Sequence, residues 1–344
     1  MSSYRVAVVG ATGVVGTQML RTLVERGFPA SEIVPLASAR SAGKTVPIGG
    51  EQVTVVELAD GNIDGFDIAI FSAGGSTSAE WAPKFAATGA VVVDNSSHWR
   101  MFDDIPLVVP EVNAGALDAA VADGGKRIIA NPNCSTAQMV VPLKAIHEAA
   151  ALQRVVITTM QSVSGTGKAA IDELRNEALA VAQDQNPPAP HSYPHQIAFN
   201  VLPQAGSFAD GDDYTDEERK LINETRKIMS LPGLAVTATC TRVPVYVGHS
   251  ESLNIQTELP LTPDKARELL EAQDGVRVVD EPAAAKYPMA LDAEGEDDIL
   301  VGRIRADESA PNCLNLFIVG DNLLKGAALN AVQIAEALVS RSLI

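Results

Sequence analysis

The sequence predicts an α/β chain in which a doubly wound parallel sheet precedes an α+β region built on a mixed sheet. Short apolar runs rich in β-branched residues alternate with helical spacing as far as about Ala151, a glycine-rich turn joins the first run to the first helix, and the strands lengthen after that point.

Residues 4–9 form the first apolar run, which stops at Gly10, and residues 14–26 carry helical spacing. Strands are predicted at 33–38, 67–72, 90–94 and 127–130, with a helix at 77–88. Asn131-Pro132-Asn133 then turns the chain into a helix over 135–151. The longer strands follow at 154–163, 234–243 and 252–259. Residues 323–338 are strongly periodic and are expected to return as a helix onto the first domain. Four prolines between Asn186 and Pro194 exclude regular structure there, and 291–298 reads as an acidic surface loop.

A chain of 344 residues with 46% hydrophobic content supports two domains. With 43 acidic and 26 basic residues the net charge is −17, which disfavours nucleic acid and anionic lipid as partners. No run approaches the roughly 20 apolar residues of a membrane span, and no signal-peptide pattern opens the chain, so a cytoplasmic location is expected. Cys134, Cys240 and Cys313 are odd in number and widely spaced, which points away from a disulfide framework and from a metal site.

Gly10-Ala11-Thr12-Gly13-Val14-Val15-Gly16 lies between the first strand and the first helix, where backbone N–H groups and the helix dipole can cradle a pyrophosphate. The spacing is G-x-x-G-x-x-G, and glycines in such a turn also serve packing alone. The second strand ends in Ala37-Ser38-Ala39-Arg40-Ser41, without the acidic residue that would hold a ribose 2′-hydroxyl. Arg40 and Ser41 suit a 2′-phosphate and hence NADP, or Arg40 is a solvated loop cation. A second glycine turn, Ser162-Val163-Ser164-Gly165-Thr166-Gly167-Lys168, lacks the spacing of a nucleoside-triphosphate loop.

Cys134 occupies a strand-to-helix junction, and a helix N-terminus stabilises a thiolate. Cys240 and Cys313 lie in apolar strand patterns and read as small buried hydrophobes. Thr215-Asp216-Glu217-Glu218 has the form of a helix start with Thr215 as N-cap. In the helix that follows, Glu224 and Lys227 share a face and by spacing alone are an exposed ion pair.

Asn133-Cys134-Ser135-Thr136, the glycine turn and the segment from Arg242 to Glu251 together resemble bacterial aspartate-semialdehyde dehydrogenases, over nearly the whole chain. The resemblance implies a homodimeric oxidoreductase that reduces L-aspartyl phosphate with NADPH to aspartate semialdehyde and inorganic phosphate, on the route to lysine or diaminopimelate, threonine, methionine and isoleucine. It implies a Rossmann-like NADP-binding domain over 1–133, completed by the C-terminal helix 323–344, and a catalytic and dimerisation domain over 134–322. Cys134 is then the nucleophile that forms an acyl thioester, His249 the acid and base, and Gln161 the residue that orients the substrate. Arg100, Asn133 and Lys227 are assigned to the phosphate, Glu224 to the ammonium and Arg242 to the carboxylate. Gly10, Thr12, Gly13, Val14, Val15, Gly16, Arg40, Ser41, Ser164, Gly165 and Asn322 are assigned to the cofactor, although Asn322 also suits an N-cap.

Two other readings remain in view. N-acetyl-gamma-glutamyl-phosphate reductases share the glycine turn and the cysteine but act on an amine carrying no charge, and they place glycine before the cysteine where this chain has Asn133. A non-catalytic NADP-binding redox sensor would use Cys134 as a switch. The Ser-Cys-Thr-Thr-Asn pattern of glyceraldehyde-phosphate dehydrogenases is absent.

Overall fold

The computed structural model describes residues 3–344, which divide into two compact units. One comprises the chain up to Asn133 together with Ala327–Ile344, and the other is Cys134–Gly326.

The first unit carries strands β1 (Tyr4–Val9), β2 (Ala30–Ala37), β3 (Thr45–Ile48), β4 (Glu51–Thr54), β5 (Val56–Glu57), β6 (Ile68–Phe71), β7 (Val91–Asp94) and β8 (Ile128–Ala130). Six of them form a parallel sheet in the order β5-β2-β1-β6-β7-β8. β6 and β7 are buried along their whole length, which is why they read as unbroken apolar runs. The β3–β4 hairpin stands apart from this sheet and gave no clear sequence signal, being short and largely polar. The chain reverses its winding between β1 and β6, and this switch point of the sheet is where the glycine turn lies.

Helices α1 (Val14–Glu25), α2 (Gly75–Ala87), α3 (Pro110–Asn113) and α4 (Leu117–Val121) cover the sheet. Met19, Leu20 and Leu23 of α1 share one apolar cluster with Val6 and Val8 of β1 and with Ala331, Val332, Ala335 and Leu338. Each fully buried Val, Leu or Met side chain among them contributes about 1.5–3 kcal/mol before the cost of ordering, and the alanines less. The last four belong to the terminal helix, which is also tied by Arg26 to Glu336 at 2.8 and 2.9 Å and by Asn330 to the carbonyl of Val108 at 3.0 Å.

The second unit holds β9 (Leu152–Gln161), β10 (Ala235–Arg242), β11 (His249–Thr257), β12 (Val276–Val278), β13 (Ile299–Ala306) and β14 (Cys313–Gly320) in one sheet of order β10-β9-β11-β14-β13-β12. β9–β10 and β12–β13 are parallel and the other pairs antiparallel, so the sheet is mixed. Its helices are α5 (Cys134–Ala150), α6 (Lys168–Ala182), α7 (Asp216–Ile228), α8 (Pro263–Glu271) and the one-turn α9 (Ala290–Ala293). α9 occupies the start of the segment read as a loop; Leu291 is exposed there, so apolar periodicity gave no signal.

α7 begins with the reciprocal cap expected of Thr215: its hydroxyl accepts from Glu218 N and Glu218 Oε2 accepts from Thr215 N. Glu218 Oε1 also accepts from Cys240 N at 2.9 Å, which pins the helix start to edge strand β10. The proline-rich stretch has no regular structure. Glu173 and Glu177 of α6 satisfy the backbone around it instead, accepting from Ser192 N at 2.7 Å and from Ile197 N and Ala198 N at 2.9 Å. Near the end of the second unit the chain winds as a π-helix, Leu324–Ala328, before entering α10 (Leu329–Ser340). No helix among the described residues is long and apolar enough to cross a membrane.

Candidate active site

In the first unit, Gly10, Thr12, Gly13, Arg40 and Ser41 line one cavity of about 450 Å³. The three glycines have different reasons to be glycine. Gly10 has φ 84°, and a Cβ there would stand 2.3 Å from the carbonyl oxygen of Ser72; one on Gly16 would stand 2.1 Å from that of Gly10. Both hold the turn against its neighbours. Gly13 has no such crowding, since its nearest contact would be 3.4 Å away. It is also the N-cap of α1 and brings no side-chain acceptor to the helix start. A bare, uncapped N-terminus in a cavity fits a pyrophosphate. Arg40 is exposed beside the buried Ser41, and no carboxylate lines this cavity, which fits the 2′-phosphate of NADP.

In the second unit Cys134 is the first residue of α5 and opens, with Gln161, Gly165, Tyr193, Glu217, Arg242 and His249, onto a cavity of about 410 Å³. Cys240 and Cys313 are buried, and burial pushes both thiols up. Gly326 is packed directly on Cys134, since a Cβ there would lie 2.6 Å from Cys134 Cβ.

His249 is fully buried. Burial, and then the charge of Arg242, hold its imidazole well below the ordinary value of 6.5, so the ring is neutral near pH 7. Its Nδ1 accepts from Ser162 N at 3.1 Å, which places the ring proton on Nε2. Nε2 is buried without a protein partner. Ser162 Oγ also lies 3.1 Å from Nδ1 and donates to Asn322 Oδ1 at 3.0 Å. The Asn322 oxygen further accepts from Gly248 N at 2.9 Å and from Ser164 Oγ at 3.2 Å. Asn322 therefore braces Ser162, Ser164 and Gly248, and it is Asp321 that caps the following turn, accepting from Leu323 N at 2.8 Å.

Arg242 ends β10, is 7% exposed, and donates through Nη1 to the carbonyl of Ser162 at 2.7 Å. Its Nε is buried with no protein acceptor. A Cβ on Gly165 would fall 3.3 Å from Arg242 Nη1 and 3.2 Å from His249 Nε2, so glycine at this position leaves both groups room. An unsatisfied guanidinium edge beside a thiol is a ready receptor for an anion such as a carboxylate.

Gln161 ends β9; its Nε2 donates to Ser135 Oγ at 3.0 Å and stands 3.4 Å from Glu217 Oε1. The cavity carboxylate is thus Glu217. Glu224 and Lys227, which the resemblance gave to the substrate, do not line this cavity. They lie seven residues further along α7, two turns on and on nearly the same stripe. The Glu-x-x-Lys spacing occurs twice, at Glu217–Lys220 and Glu224–Lys227, and helical periodicity cannot choose between them. Lys220 Nζ donates to Glu217 Oε2 at 3.1 Å. Although burial opposes its charge, Glu217 and Asp216 hold that ammonium above its ordinary value.

Arg100 and Asn133 belong to the first unit and are buried there. Arg100 donates to the carbonyls of Asn131 at 2.9 Å and Asn95 at 3.0 Å.

Residues 5–120 match a family model described as the semialdehyde dehydrogenase NAD binding domain, and residues 143–325 match that of the semialdehyde dehydrogenase dimerisation domain. An aspartate-semialdehyde dehydrogenase of Aquifex aeolicus is 52% identical over 343 residues, covering 99% of each chain. The chain belongs to the aspartate-semialdehyde dehydrogenase family. A solved structure of aspartate-semialdehyde dehydrogenase II from Vibrio cholerae, complexed with ASA, aligns with TM-score 0.94 at 45% identity over 99% of each chain. Another, from Candida albicans with NADP, aligns at TM-score 0.77 and 25% identity over the full length of both chains.

Within this aspartate-semialdehyde dehydrogenase fold, the second unit brings Cys134, Gln161, Arg242 and His249 onto one cavity. Glu217, Tyr193 and Gly326 are the residues that sequence reasoning missed. A signal for Glu217 existed in the duplicated Glu-x-x-Lys spacing. None existed for Tyr193, which an irregular proline-rich loop delivers, or for Gly326, whose neighbour Cys134 is almost two hundred residues away.

Proposed function

We propose that the chain is an NADP-dependent aspartate-semialdehyde dehydrogenase, reducing L-aspartyl phosphate to aspartate semialdehyde through a thioester on Cys134. The observation that carries the reading is the single cavity shared by a thiol, a neutral imidazole, an unsatisfied guanidinium and a carboxylate. These are the groups needed for an acyl phosphate bearing a carboxylate and an ammonium. An acylated amine brings no positive charge to the cavity carboxylate, which disfavours the N-acetyl-gamma-glutamyl-phosphate substrate.

In this reading the first unit, completed by Ala327–Ile344 rather than by the expected 323–344, holds NADP through Gly10, Thr12, Gly13, Val14, Val15, Gly16, Arg40 and Ser41. Ser164, Gly165 and Asn322 shape the nicotinamide side. NADPH supplies the two electrons as hydride. Arg242 clamps the substrate carboxylate, and Glu217 with Gln161 receives the ammonium. Arg100 and Asn133 bind the phosphate, and Lys220 takes the place that the resemblance gives Lys227. Cys134 attacks the acyl carbon and phosphate leaves. His249 Nε2–H donates to the oxygen on which charge develops. Taking the thiol proton requires the other tautomer, in which Nδ1–H donates to Ser162 Oγ and the bond from Ser162 N to Nδ1 is given up. Ser162 Oγ is within 3.1 Å and its own proton is already committed to Asn322. Collapse of the thiohemiacetal releases the aldehyde and returns the thiolate.

The chain works as a homodimer in the cytoplasm, with inorganic phosphate as co-product. The match to a dimerisation-domain model supports the dimer, as do the exposed Phe199 and Val201 on the second unit. The test is to supply NADP, phosphate and aspartate semialdehyde and follow NADPH absorbance. Turnover that needs all three is expected; none with this aldehyde overturns the assignment.

A further inference from the structure

The cavity at the glycine turn contains one aromatic ring, and the roles given to its other walls leave that ring without a task. Thr12 and Gly13 stand at the N-terminus of α1, and Arg40 with Ser41 just after β2, so the anchors for the pyrophosphate and the 2′-phosphate are two sides of one space of about 450 Å³. In NADP those groups are joined through a single ribose, and that ribose carries the adenine. The base is thereby confined to the neighbourhood of both anchors. Trp81 lines the same space from α2. It lies four residues after Thr77, one turn on along the same helix face, and both side chains reach the cavity. Lys84 Nζ stands over the indole, 4.0 Å from the ring centroid, and is held there by Asp60 at 2.8 Å. Lys84 does not line the cavity, so its ammonium covers the side of the indole turned away from it.

A flat indole beside the apolar Ala37 and Leu58 suits the face of a purine. The edge of the base meets different material. Among the described residues that line the cavity there is no carboxylate or carboxamide, and the hydroxyls of Ser38, Ser41, Ser72 and Thr77 can each donate or accept. The carbonyls of Ala37 and Ser38 already accept from Leu58 N and Ser41 N, both at 2.8 Å. Such a lining does not separate a 6-amino from a 6-oxo purine. We propose that Trp81 is the platform on which the adenine of NADP stacks, and that the base is held by its face and not read at its edge, so that hypoxanthine is accepted in its place. This rests on the NADP assignment above.

The test uses adenosine 2′,5′-bisphosphate, which carries the base and the 2′-phosphate without the nicotinamide, and reads its Kd by calorimetry. Trp81→Ala should raise that Kd about tenfold, the loss of one stack between a base and an aromatic ring. Ribose 2,5-bisphosphate, which has no base, should bind variant and wild type within about twofold of each other. A rise of less than about threefold for the adenosine compound, or an equal weakening of both ligands, overturns the stack. Inosine 2′,5′-bisphosphate should bind wild type within about threefold of the adenosine compound; a larger loss means that the edge is read and overturns that part. The chain has two tryptophans, and Trp99, whose Nε1 donates to Ser78 Oγ at 3.0 Å, does not line the cavity. Quenching of tryptophan emission by the adenosine compound should therefore persist in Trp99→Phe and vanish in Trp81→Phe. Trp81→Phe keeps a ring and should hold Kd within about threefold. Quenching that survives Trp81→Phe overturns the stack, also where Trp81→Ala does not fold. A wild-type chain that binds neither NADP nor adenosine 2′,5′-bisphosphate overturns the cofactor assignment, whereas binding that the Trp81 variants leave unaltered overturns the stack alone.

Discussion

The glycine turn of the first unit and the thiol cavity of the second both sit at the ends of sheet strands, but they are built from opposite materials. The turn is backbone: Gly10 and Gly16 remove side chains that would strike carbonyl oxygens, and Gly13 leaves a helix N-terminus bare. The cavity is side chain: Gln161, Arg242 and His249 come from three strands, and behind them the buried Ser135 accepts from Gln161 and the buried Glu251 accepts from Gln138. A backbone site is written in a few consecutive residues. A side-chain site is written across the whole unit, and each buried polar group in it depends on a partner far away in sequence.

The largest test of this contrast is Cys134→Ser. If the second unit alone carries the chemistry, turnover should fall by at least about a thousandfold, because a hydroxyl without a dedicated base is a far poorer nucleophile. NADP affinity, read by fluorescence titration, should stay within about twofold, because the glycine turn lies in the other unit. Retained turnover would remove the covalent mechanism.

Arg242→Lys comes next. The guanidinium already gives Nη1 to Ser162 and keeps a buried Nε without an acceptor. An ammonium cannot make both contacts. Losing one charge-assisted hydrogen bond of about 1.5–3 kcal/mol should raise the KM for aspartate semialdehyde roughly tenfold to a hundredfold with little change for NADP. An unchanged KM would show that the carboxylate is bound elsewhere.

The same contrast explains what was legible in the sequence. The parallel sheet was, because β6 and the valines of β7 are buried on both faces and read as apolar runs. Cys134 at a helix start and Thr215 as a cap were legible for the same local reason. β11 was not read from its true start: it begins at His249, not Ser252, and His249 and Glu251 are buried polar residues that hide the alternation of a strand. The cavity was legible in Cys134, Gln161, Arg242 and His249 only through a family resemblance. In α7 the resemblance pointed to Glu224, whereas the residue that lines the cavity is Glu217, two helical turns earlier on almost the same stripe.

Paired variants settle that register. Glu217→Gln should raise the KM for aspartate semialdehyde about tenfold, the loss of one ammonium contact, with a small change in Tm. Glu224→Gln alters a residue only 1% exposed, so it should lower stability by about 1–3 kcal/mol while leaving KM within about twofold. The reverse pattern would return the ammonium site to Glu224.

The smallest effect is one of stability, and it isolates the buried imidazole. Folded His249 is held well below 6.5, while in the unfolded chain it takes a proton near 6.5. Below about pH 6.5 the unfolded state therefore binds more protons, so this group makes stability rise with pH up to that point, by as much as about 1.4 kcal/mol per pH unit. Glu251 has the opposite sign. Its folded carboxyl lies well above 4.5, so the unfolded chain ionises first and stability falls as pH rises from about 4.5. Between about pH 4.5 and 6.5 the two slopes oppose each other. Urea unfolding of wild type and His249→Gln at several pH values in that window should show the difference between them rising with pH, with the variant left on the falling Glu251 slope. A difference independent of pH would mean that His249 is charged in the folded chain, and the neutral-ring chemistry assigned to the cavity would fail with it.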